Sequence, residues 1–433
     1  MNRVSKIISE RNSGDFKQKA LQWAQQFEEV VFLESNTDYQ ISKQQYQDYD
    51  AVLAFGAQNS ISSSYNNAFQ KLKKFQNQYQ DFIFGHLNYD LKNDVEALSS
   101  SHDDHIGFSD LCFFQPKKIF LWKNNQVELL YLSDYKDEIE LDLKAINEHL
   151  LIQNSGSEDL EISLKISKEY YFKKVSNILE HIHRGDIYEV NFCQEFYAYN
   201  VLIDPISVYQ KLNDISRAPF ASFVKMQDKF LLCSSPERFA KKQGNKIIVQ
   251  PIKGTARRIK DPEQDQLLAK NLSNDPKERA ENIMIVDLIR NDLSKSATKG
   301  SVKVEELCKV YSFKQVHQLI STVSSEAKKN IHVVDMIKDL FPMGSMTGAP
   351  KISAMKIIEE EEETKRGLYS GAVGYFSPEG DFDFNVVIRS ILYNASNKYA
   401  SFSVGSAITS LSVIENEYEE CLLKAKALKG PEG

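Results

Sequence analysis

The chain has 433 residues, more than one average domain, so two domains or one large mixed domain are expected. Hydrophobic residues make up 42% of it, which is ample for a folded core, and a net charge of −7 with only short basic tracts disfavours nucleic-acid binding. The first residues lack an apolar secretory segment, and no stretch approaches the roughly 18 apolar residues of a membrane span. We therefore expect a cytoplasmic protein that does not bind membranes.

The first third of the chain mixes helix-like and strand-like segments. Periodicity predicts a helix near Phe16–Phe27 and strands at Glu29–Glu34 and Asp81–Leu87. Two β-rich runs joined by Asn-Asn predict a hairpin over Lys117–Leu132. A polar segment at Gln153–Asp159 then separates an N-terminal subdomain, residues 1–155, from a larger domain, residues 160–430.

The larger domain begins with an amphipathic helix that should end at Gly185, followed by a strand with the sequence IYEVNFCQEFYAY. Two strands that run into turns come next, then helices at Asp261–Leu272 and from Pro276 to about Leu293. Three strand-rich runs with Gly breaks lie between residues 366 and 409, and a closing helix covers about Val413–Leu428. Because the strands come in runs, an antiparallel α+β fold is expected.

The helix predicted from Pro276 carries two carboxylates on its apolar face. Glu278 and Glu281 are three residues apart and share that face with Ile285. They should therefore point toward the core, where a carboxylate is costly unless it is paired or metal-bound. The alternative for Glu278 is a capping box that reaches back to Asp275.

The closing helix repeats this arrangement. Glu417, Glu420 and Lys424 form one stripe beside an apolar stripe. The alternative is a solvated face with a Glu–Lys pair four residues apart. An all-oxygen set from the two helices would suit Mg²⁺, which often takes one or two protein carboxylates and oxygens of a ligand.

A Gly/Ser/Thr loop, FPMGSMTGAPK, runs into another predicted helix. Backbone N–H groups at such a junction favour an anion. Gly344 and Gly348 are four residues apart and Ala349-Pro350 precedes Lys351, which departs from a Walker A loop. Nucleotide phosphate is therefore disfavoured, and a carboxylate is favoured.

The stretch VQPIKGTARR places Lys253 between a β-branched run and a Gly-Thr pair, which predicts a turn. From local pattern alone, this lysine could be a solvated turn residue, a partner of a bound anion or a nucleophile. SSPERF predicts a strand-end turn that presents Glu237. His317 and Arg389 each have a plain alternative, as a hydrogen-bonded core histidine and a structural ion pair.

The five cysteines are scattered without a C-x-x-C pair, as is typical of buried reduced thiols. His181 and His183 lack partner ligands at zinc-like spacing, which disfavours a zinc site. No cysteine lies in a G-x-C-x-G nucleophile turn, so the sequence shows no glutaminase signature. The cysteines are Cys112, Cys193, Cys233, Cys308 and Cys421.

Eight motifs follow one another over roughly Lys165–Lys429: SPERF, PIKGTARR, ERAENIMIVDLIRNDL, VHQLIS, FPMGSMTGAPKISAMKIIEE, RGLYSGAVGYF, VVIRS and EYEECLLKA. Together they resemble the chorismate-utilising enzymes, the family of anthranilate, aminodeoxychorismate, isochorismate and salicylate synthases. The first third matches more weakly, through VFLES and FGHLNYDL. The resemblance implies the α+β fold of anthranilate synthase component I, with antiparallel sheets packed in a sandwich and surrounded by helices.

The resemblance also implies roles for single residues. Mg²⁺ would be held by Glu281 and Glu420, with Glu278 and Glu417 close behind, and the ring carboxylate of chorismate would sit on that ion. Lys253 would be the nucleophile, with its pKa lowered by burial or a nearby cation, Glu237 the general acid for the departing C4 hydroxyl, and His317 a partner near the ring. Substrate-binding groups would be Tyr369, Arg389, Lys424, Thr255, Gly348 and the backbone from Gly405 to Ala407.

Three positions decide which branch of the family the chain resembles. Ala407 departs from the family's usual Gly in a GAGI motif, and Glu189 stands where isochorismate and salicylate synthases carry a water-activating lysine. Anthranilate synthases carry Ala where this chain has Lys253. The resemblance therefore implies amination of chorismate to 4-amino-4-deoxychorismate, toward p-aminobenzoate and folate, with ammonia from a separate glutamine amidotransferase subunit.

Two alternatives remain from the sequence. One is anthranilate formation with release of pyruvate. The other is a non-catalytic chorismate-binding subunit, which the intact Glu237, His317, Glu281 and Glu420 disfavour.

Overall fold

The computed structural model describes residues 2–9, 14–36, 46–152 and 162–429. Before residue 153, the described elements are β1 (Arg3–Ser9), α1 (Gly14–Trp23), β2 (Glu29–Glu34), β3 (Ala51–Ser63), α2 (Ala68–Tyr79), β4 (Ile83–Leu87), α3 (Lys92–Val95), β5 (Leu111–Lys123), β6 (Gln126–Leu132) and α4 (Ile139–Glu148). The predicted hairpin is confirmed, since β5 pairs with β6 across Asn124 and Asn125, which have φ values of 52° and 60°. Asn tolerates this left-handed conformation better than most residues.

From residue 162 onward the elements are β7 (Ser163–Leu164), α5 (Lys168–Arg184), β8 (Glu189–Tyr199), α6 (Pro205–Ser216), β9 (Phe220–Met226), β10 (Lys229–Ser235), β11 (Arg238–Gln243), β12 (Lys246–Gln250), β13 (Ile252–Arg257), α7 (Pro262–Asn274), α8 (Pro276–Ser296), β14 (Lys303–Ser312), β15 (Val316–Glu326), α9 (Val333–Leu340), β16 (Gly348–Ala349), α10 (Lys351–Glu361), β17 (Ala372–Phe376), β18 (Phe382–Val386), β19 (Ser390–Asn394), β20 (Tyr399–Thr409) and α11 (Ile414–Lys429). No helix in the described ranges is long and apolar enough to cross a membrane.

The strands form two antiparallel layers that share β5. One layer runs in the order β1, β6, β5, β3, β2, β9, β10, β19, β20, β8. The other runs β5, β4, β17, β18, β11, β12, β15, and β15 then pairs with both β13 and β14. One apolar core, which includes Val224 and Leu231 of the first layer and Val373 and Phe384 of the second, lies between them. The predicted sandwich is confirmed.

Helices cover the outer faces of the layers. Apolar side chains of α1, α4 and α6 pack on the strands of the first layer. Helices α5, α10 and α11 pack against β8 and β20. This arrangement places the acidic closing helix next to the last strands of the first layer.

Segments on both sides of residues 153–161 share these layers, because β2 pairs with β9 and β4 pairs with β17. The polar segment Gln153–Asp159 lies outside the described residues. The division into residues 1–155 and 160–430 therefore stays a prediction.

The turn predicted at PIKGT is wrong. Lys253 lies within β13, where Thr255, Ala256 and Arg257 pair with β15. The ladder shifts register between Ile252 and Thr255, and Gly254 there has a φ of 85°. A bulge with a left-handed glycine thus lets the strand continue through the Gly-Thr pair.

Candidate active site

Lys253 is held by a buried ion pair. Its Nζ contacts Oε1 of Glu189, the first residue of β8, and the two side chains are 10% and 1% exposed. Burial lowers the pKa of Lys253, but the charges of Glu189 and of two further carboxylates outweigh this effect and hold the pKa above its ordinary value. Without a bound cation the pKa of Lys253 is therefore raised, and the expected lowering by a nearby cation stays a prediction.

Glu237 occupies the predicted turn between β10 and β11. It is 5% exposed, and its Oε1 accepts a 2.7 Å hydrogen bond from the Ser345 hydroxyl. Burial raises the pKa of Glu237 to about 7, although Ser345, Lys253 and Arg389 act in the opposite direction. A carboxyl with such a pKa is partly protonated near neutral pH and can serve as a general acid.

The two carboxylates of α8 lie beside Lys253, as their predicted inward orientation requires. Glu281 Oε1 is buried without a hydrogen-bond partner among the described residues, and burial raises the pKa of this residue to about 7 while Lys253 opposes the shift. A Cβ at Gly254 would lie 3.0 Å from Glu278 Oε2, so β13 passes directly against that carboxylate. Asp275 caps α8 by accepting from the Glu278 backbone N–H, without the reciprocal side-chain contact of a capping box.

The carboxylates of α11 differ in exposure. Glu417 is buried and accepts from the Ser412 hydroxyl at 2.8 Å, whereas Glu420 is exposed and lies 2.7 Å from Lys424. Burial raises the pKa of Glu417, and the charge of Glu420 adds to that shift. Burial raises the pKa of Glu278, and the charge of Glu420 adds to the shift, so the N-terminal turns of α8 and α11 lie near one another.

These four glutamates do not form a closed metal cage. Within the described ranges, three potential ligand atoms lie within 4.8 Å of one another at His181, Glu360 and Glu361, on α5 and α10. The α8 and α11 set nevertheless suits a divalent cation. Among the described residues, Glu281 Oε1 is buried without a hydrogen-bond partner and has only a 4.0 Å contact with Lys277, and its carboxylate is repelled by Glu189 and Glu278. Mg²⁺ is commonly held by only one or two carboxylates together with water and ligand oxygens.

Two predicted substrate-binding side chains lie elsewhere in the site, Arg389 near Glu237 and Tyr369 near Cys193. Arg389 lies between β18 and β19, has a φ of 50° and is exposed. The surrounding protein atoms lower the pKa of its guanidinium, and the charge of Glu237 partly offsets this effect. Tyr369 is buried, and its hydroxyl lies 3.9 Å from the Cys193 thiol. Burial holds the pKa of Tyr369 well above its ordinary value, so its hydroxyl keeps its proton and can donate it to an anion.

The backbone at Gly405 and Ala407 is directed toward a free sheet edge. These residues pair with Cys193 and Asn191, whose own N–H groups bind the Glu362 side chain and the Thr347 carbonyl instead of β20. In an antiparallel ladder the opposite residues then also point their N–H groups outward. Since β19 pairs with β20 only as far as Ser401, both groups are available to an anion.

The remaining predicted binding residues take different positions. Gly348 packs against β8 so closely that a Cβ would lie 2.1 Å from the Glu189 carbonyl oxygen. Thr255 is exposed on β13, and Lys424 donates to the Gly405 carbonyl at 3.0 Å.

His317 lies deeper in the sheet than the acidic group. It is 2% exposed and sits opposite Ala256 of β13, three residues along from Lys253. Its Nδ1 lies 2.8 Å from the Ser312 hydroxyl and its Nε2 lies 3.1 Å from Asp265 Oδ1. These contacts match the alternative of a hydrogen-bonded core histidine.

The sequence reasoning missed a buried ion pair behind the site. Arg366 donates to both carboxylate oxygens of Glu362 at 2.6 and 2.9 Å, and to the carbonyls of Met346 and Asn191 at 2.7 Å each. This pair joins β8 to the turn that carries Ser345. The partner Glu362 is only four residues away, in EETKR just after α10, but the carbonyls of Met346 and Asn191 are distant in sequence.

Comparison of the sequence with known proteins finds a matching family and named relatives. The family described as chorismate binding enzyme matches residues 18–430. A probable chloroplastic aminodeoxychorismate synthase of Oryza sativa subsp. japonica is 36% identical over 381 residues, 79% of this chain and 42% of that protein. Aminodeoxychorismate synthase component 1 of Klebsiella aerogenes is 41% identical over 263 residues, 61% of this chain and 58% of that protein.

The fold is also found among solved structures. Anthranilate synthase component I from Streptococcus pneumoniae TIGR4 superposes with a TM-score of 0.77 at 26% identity, over 91% of this chain and 95% of that chain. By contrast, the chain spans about half the length of the two sequence relatives, 42% and 58%.

Proposed function

The chain belongs to the family of chorismate binding enzymes, and from this premise we propose that it aminates chorismate with ammonia to give 4-amino-4-deoxychorismate. The observation that carries the proposal is Lys253, a buried lysine beside Glu189 whose charge is felt by both Glu237 and Glu281. A solvated turn residue would be exposed and unpaired. The relatives named aminodeoxychorismate synthase at 36% and 41% identity support the same activity.

Glu237 supplies the acid for the first step of the proposed reaction. Lys253 Nζ bonds to C2 of the ring, the two ring double bonds move toward C4, and the C4–O bond breaks. The proton of the Glu237 carboxyl goes to the departing oxygen, which leaves as water. A pKa of about 7 keeps that proton available at neutral pH.

Ammonia completes the reaction by attack at C4. The double bonds move back, the C2–Nζ bond breaks, and the lysine leaves as an amine. The new ammonium group at C4 returns one proton to Glu237, so the acid is restored. The enolpyruvyl group at C3 is untouched throughout.

Mg²⁺ would be held by Glu281 and Glu420, with Glu278 and Glu417 beside them. A bound Mg²⁺ would neutralise the ring carboxylate and fix its orientation. Arg389, the Tyr369 hydroxyl and the outward N–H groups of β20 would hold the second carboxylate.

Glutamine use would require a partner, because none of the five cysteines lies in a G-x-C-x-G turn. We expect the purified chain to use ammonium salts directly, and glutamine only when a glutamine amidotransferase subunit is added. Glutamine-dependent product from the chain alone would contradict this part of the proposal.

The proposal is tested by incubating the protein with chorismate and Mg²⁺ in the absence of ammonia. Mass spectrometry should then find an adduct on the peptide that contains Lys253. Lys253→Ala should lose the adduct and most product while still binding chorismate. Near-full activity of Lys253→Ala, or pyruvate release with fluorescent anthranilate, would instead support anthranilate formation.

A further inference from the structure

Glu189 is a buried carboxylate with one oxygen in use. Its Oε1 contacts Lys253 Nζ, while its Oε2 is buried and has no hydrogen-bond partner in the described part of the chain. A carboxylate without water is costly unless a charged partner or a proton compensates it. Glu189 is therefore built either to face an ammonium group or to receive a proton from one.

The backbone holds Glu189 firmly at this place. It pairs with Thr409 on one side and with Ala349 on the other, and the close approach of Gly348 presses β16 against it. The Tyr188 N–H donates to the Ala349 carbonyl at 2.7 Å, which fixes the start of the strand. These pairings fix the backbone position from which the Glu189 side chain reaches Lys253.

The other acidic groups that face Lys253 are engaged differently. Glu237 accepts a hydrogen bond from the Ser345 hydroxyl and lies where it would donate a proton to the substrate. Glu281 lies on the side of the proposed metal. Among the described residues, Glu189 is the carboxylate within ion-pair distance of Nζ. A lysine attacks carbon only as the neutral amine, so its ammonium must first give up a proton.

We propose that Glu189 is the base that takes this proton, a role that rests on the function proposed above. One Nζ–H bond of Lys253 breaks and an O–H bond forms at Glu189 Oε1, so the charged pair becomes a neutral pair. The freed electron pair on Nζ then bonds to C2 of the substrate. When lysine is later expelled as an amine, it takes the same proton back from Glu189.

Proton transfer inside the pair has a clear signature. With Glu189 as base, the fraction of Lys253 that becomes the neutral amine does not depend on the pH of the solvent. Glu189→Gln keeps the shape and a hydrogen bond but cannot accept the proton, so its amine fraction must follow solvent pH. A base contributes on the order of 100-fold or more to such a step.

The experiment measures the rate of adduct formation on the Lys253 peptide at several pH values between 6 and 9, with chorismate and Mg²⁺ and without ammonia. The ratio of the Glu189→Gln rate to the wild-type rate should be about 0.01 or lower near pH 7 and rise roughly tenfold per pH unit. Because Glu237 titrates in both proteins, dividing the rate of Glu189→Gln by the wild-type rate removes the pH dependence that Glu237 causes. Glu189→Asp should keep the wild-type pH profile at a reduced rate.

Glu195→Gln is the matched control, since Glu195 is half-buried on the same strand, β8, but contacts Tyr399 at 3.0 Å. It should form the adduct as the wild type does, and all variants should bind chorismate with Mg²⁺ similarly. A ratio that equals one, or that stays constant with pH, would show that Glu189 is not the base. If the wild type forms no adduct at all, the covalent step of the proposed function fails and this inference fails with it.

Discussion

At the scale of single residues, Glu237 carries the clearest pH dependence. Because burial raises its pKa to about 7, its acid form is lost as pH rises above that value. Single-turnover adduct formation by the wild type should therefore fall roughly tenfold per pH unit well above pH 7. Glu237→Gln should reduce the rate on the order of 100-fold or more and remove this dependence. A wild-type rate that is flat from pH 6 to 9 would exclude Glu237 as the acid.

The same residue should lower stability at neutral and alkaline pH. Its pKa is raised from 4.5 in the unfolded chain to about 7 in the fold, so folding without metal favours the protonated form, and stability is lost as pH rises from 4.5 to 7. Glu237→Gln stays neutral and should exceed the wild type at pH 8 by up to about 3 kcal/mol. Urea unfolding in EDTA at pH 8 and pH 5 measures this gain, which should shrink at pH 5.

The exposed Glu180 on α5 offers a control for that comparison. Glu180→Gln should change the free energy of unfolding by less than about 0.5 kcal/mol at either pH. A Glu237→Gln variant that is less stable than the wild type at pH 8 would mean that the carboxylate is paired more strongly than its contact with Ser345 indicates.

The metal assignment can be examined without measuring activity. Added Mg²⁺ stabilises any fold that binds it, by about 2.7 kcal/mol at one hundred times the dissociation constant. Glu281→Gln should abolish this thermal shift, and in EDTA it should melt higher than the wild type because burial disfavours the charged carboxylate and the exposed Lys277 contacts it only at 4.0 Å. Glu420→Gln should lose the shift without that gain, since Glu420 is exposed. Retention of the full shift in both variants would rule out this ligand pair.

At the scale of elements, Arg366 ties together the parts that carry Glu189 and Ser345. Its contacts reach the end of α10, the backbone of β8 and the turn at Met346. Lysine cannot make four directed hydrogen bonds of this kind. Arg366→Lys should therefore cost about 3 kcal/mol in the free energy of unfolding and should slow adduct formation.

The control is Arg184→Lys at the exposed end of α5, where the side chain is 60% exposed and an ion pair contributes little. If Arg366→Lys is as stable as the wild type, the buried pair is not needed to hold the two elements. If it is unstable but forms the adduct at the normal rate, the pair supports the fold without positioning the site.

Local patterns predicted some elements well and others not at all. The Asp275-Pro276 start of α8 and the strand at Glu29–Glu34 were predicted because caps, Pro and periodicity act within a few residues. The continuation of β13 through Lys253 was not, because it depends on pairing with β15 more than sixty residues away. The Glu189 contact was missed for the same reason, whereas the spacing of the glutamates along α8 and α11 indicated the acidic helices.

At the scale of the whole molecule, the layers are built from both parts of the chain. β2 contributes six residue pairs to β9, and β4 contributes five to β17. The core between the layers also takes side chains from each part, among them Val31, Phe84, Val224 and Phe384. A sequence division at residues 156–159 therefore does not mean that each part can bury its own apolar surface.

This leads to a prediction about fragments. Residues 160–433 expressed alone would leave β9 and β17 as unpaired edges beside an uncovered apolar face, a combination that favours aggregation. We expect that fragment to be insoluble, or soluble without binding chorismate. Coexpression with residues 1–155 should restore a soluble complex that binds chorismate in the presence of Mg²⁺, as measured by copurification and calorimetry. A protein cut between residues 156 and 159 after folding serves as the control and should remain assembled. Chorismate binding by a monomeric 160–433 fragment would show that the sandwich closes without its first third.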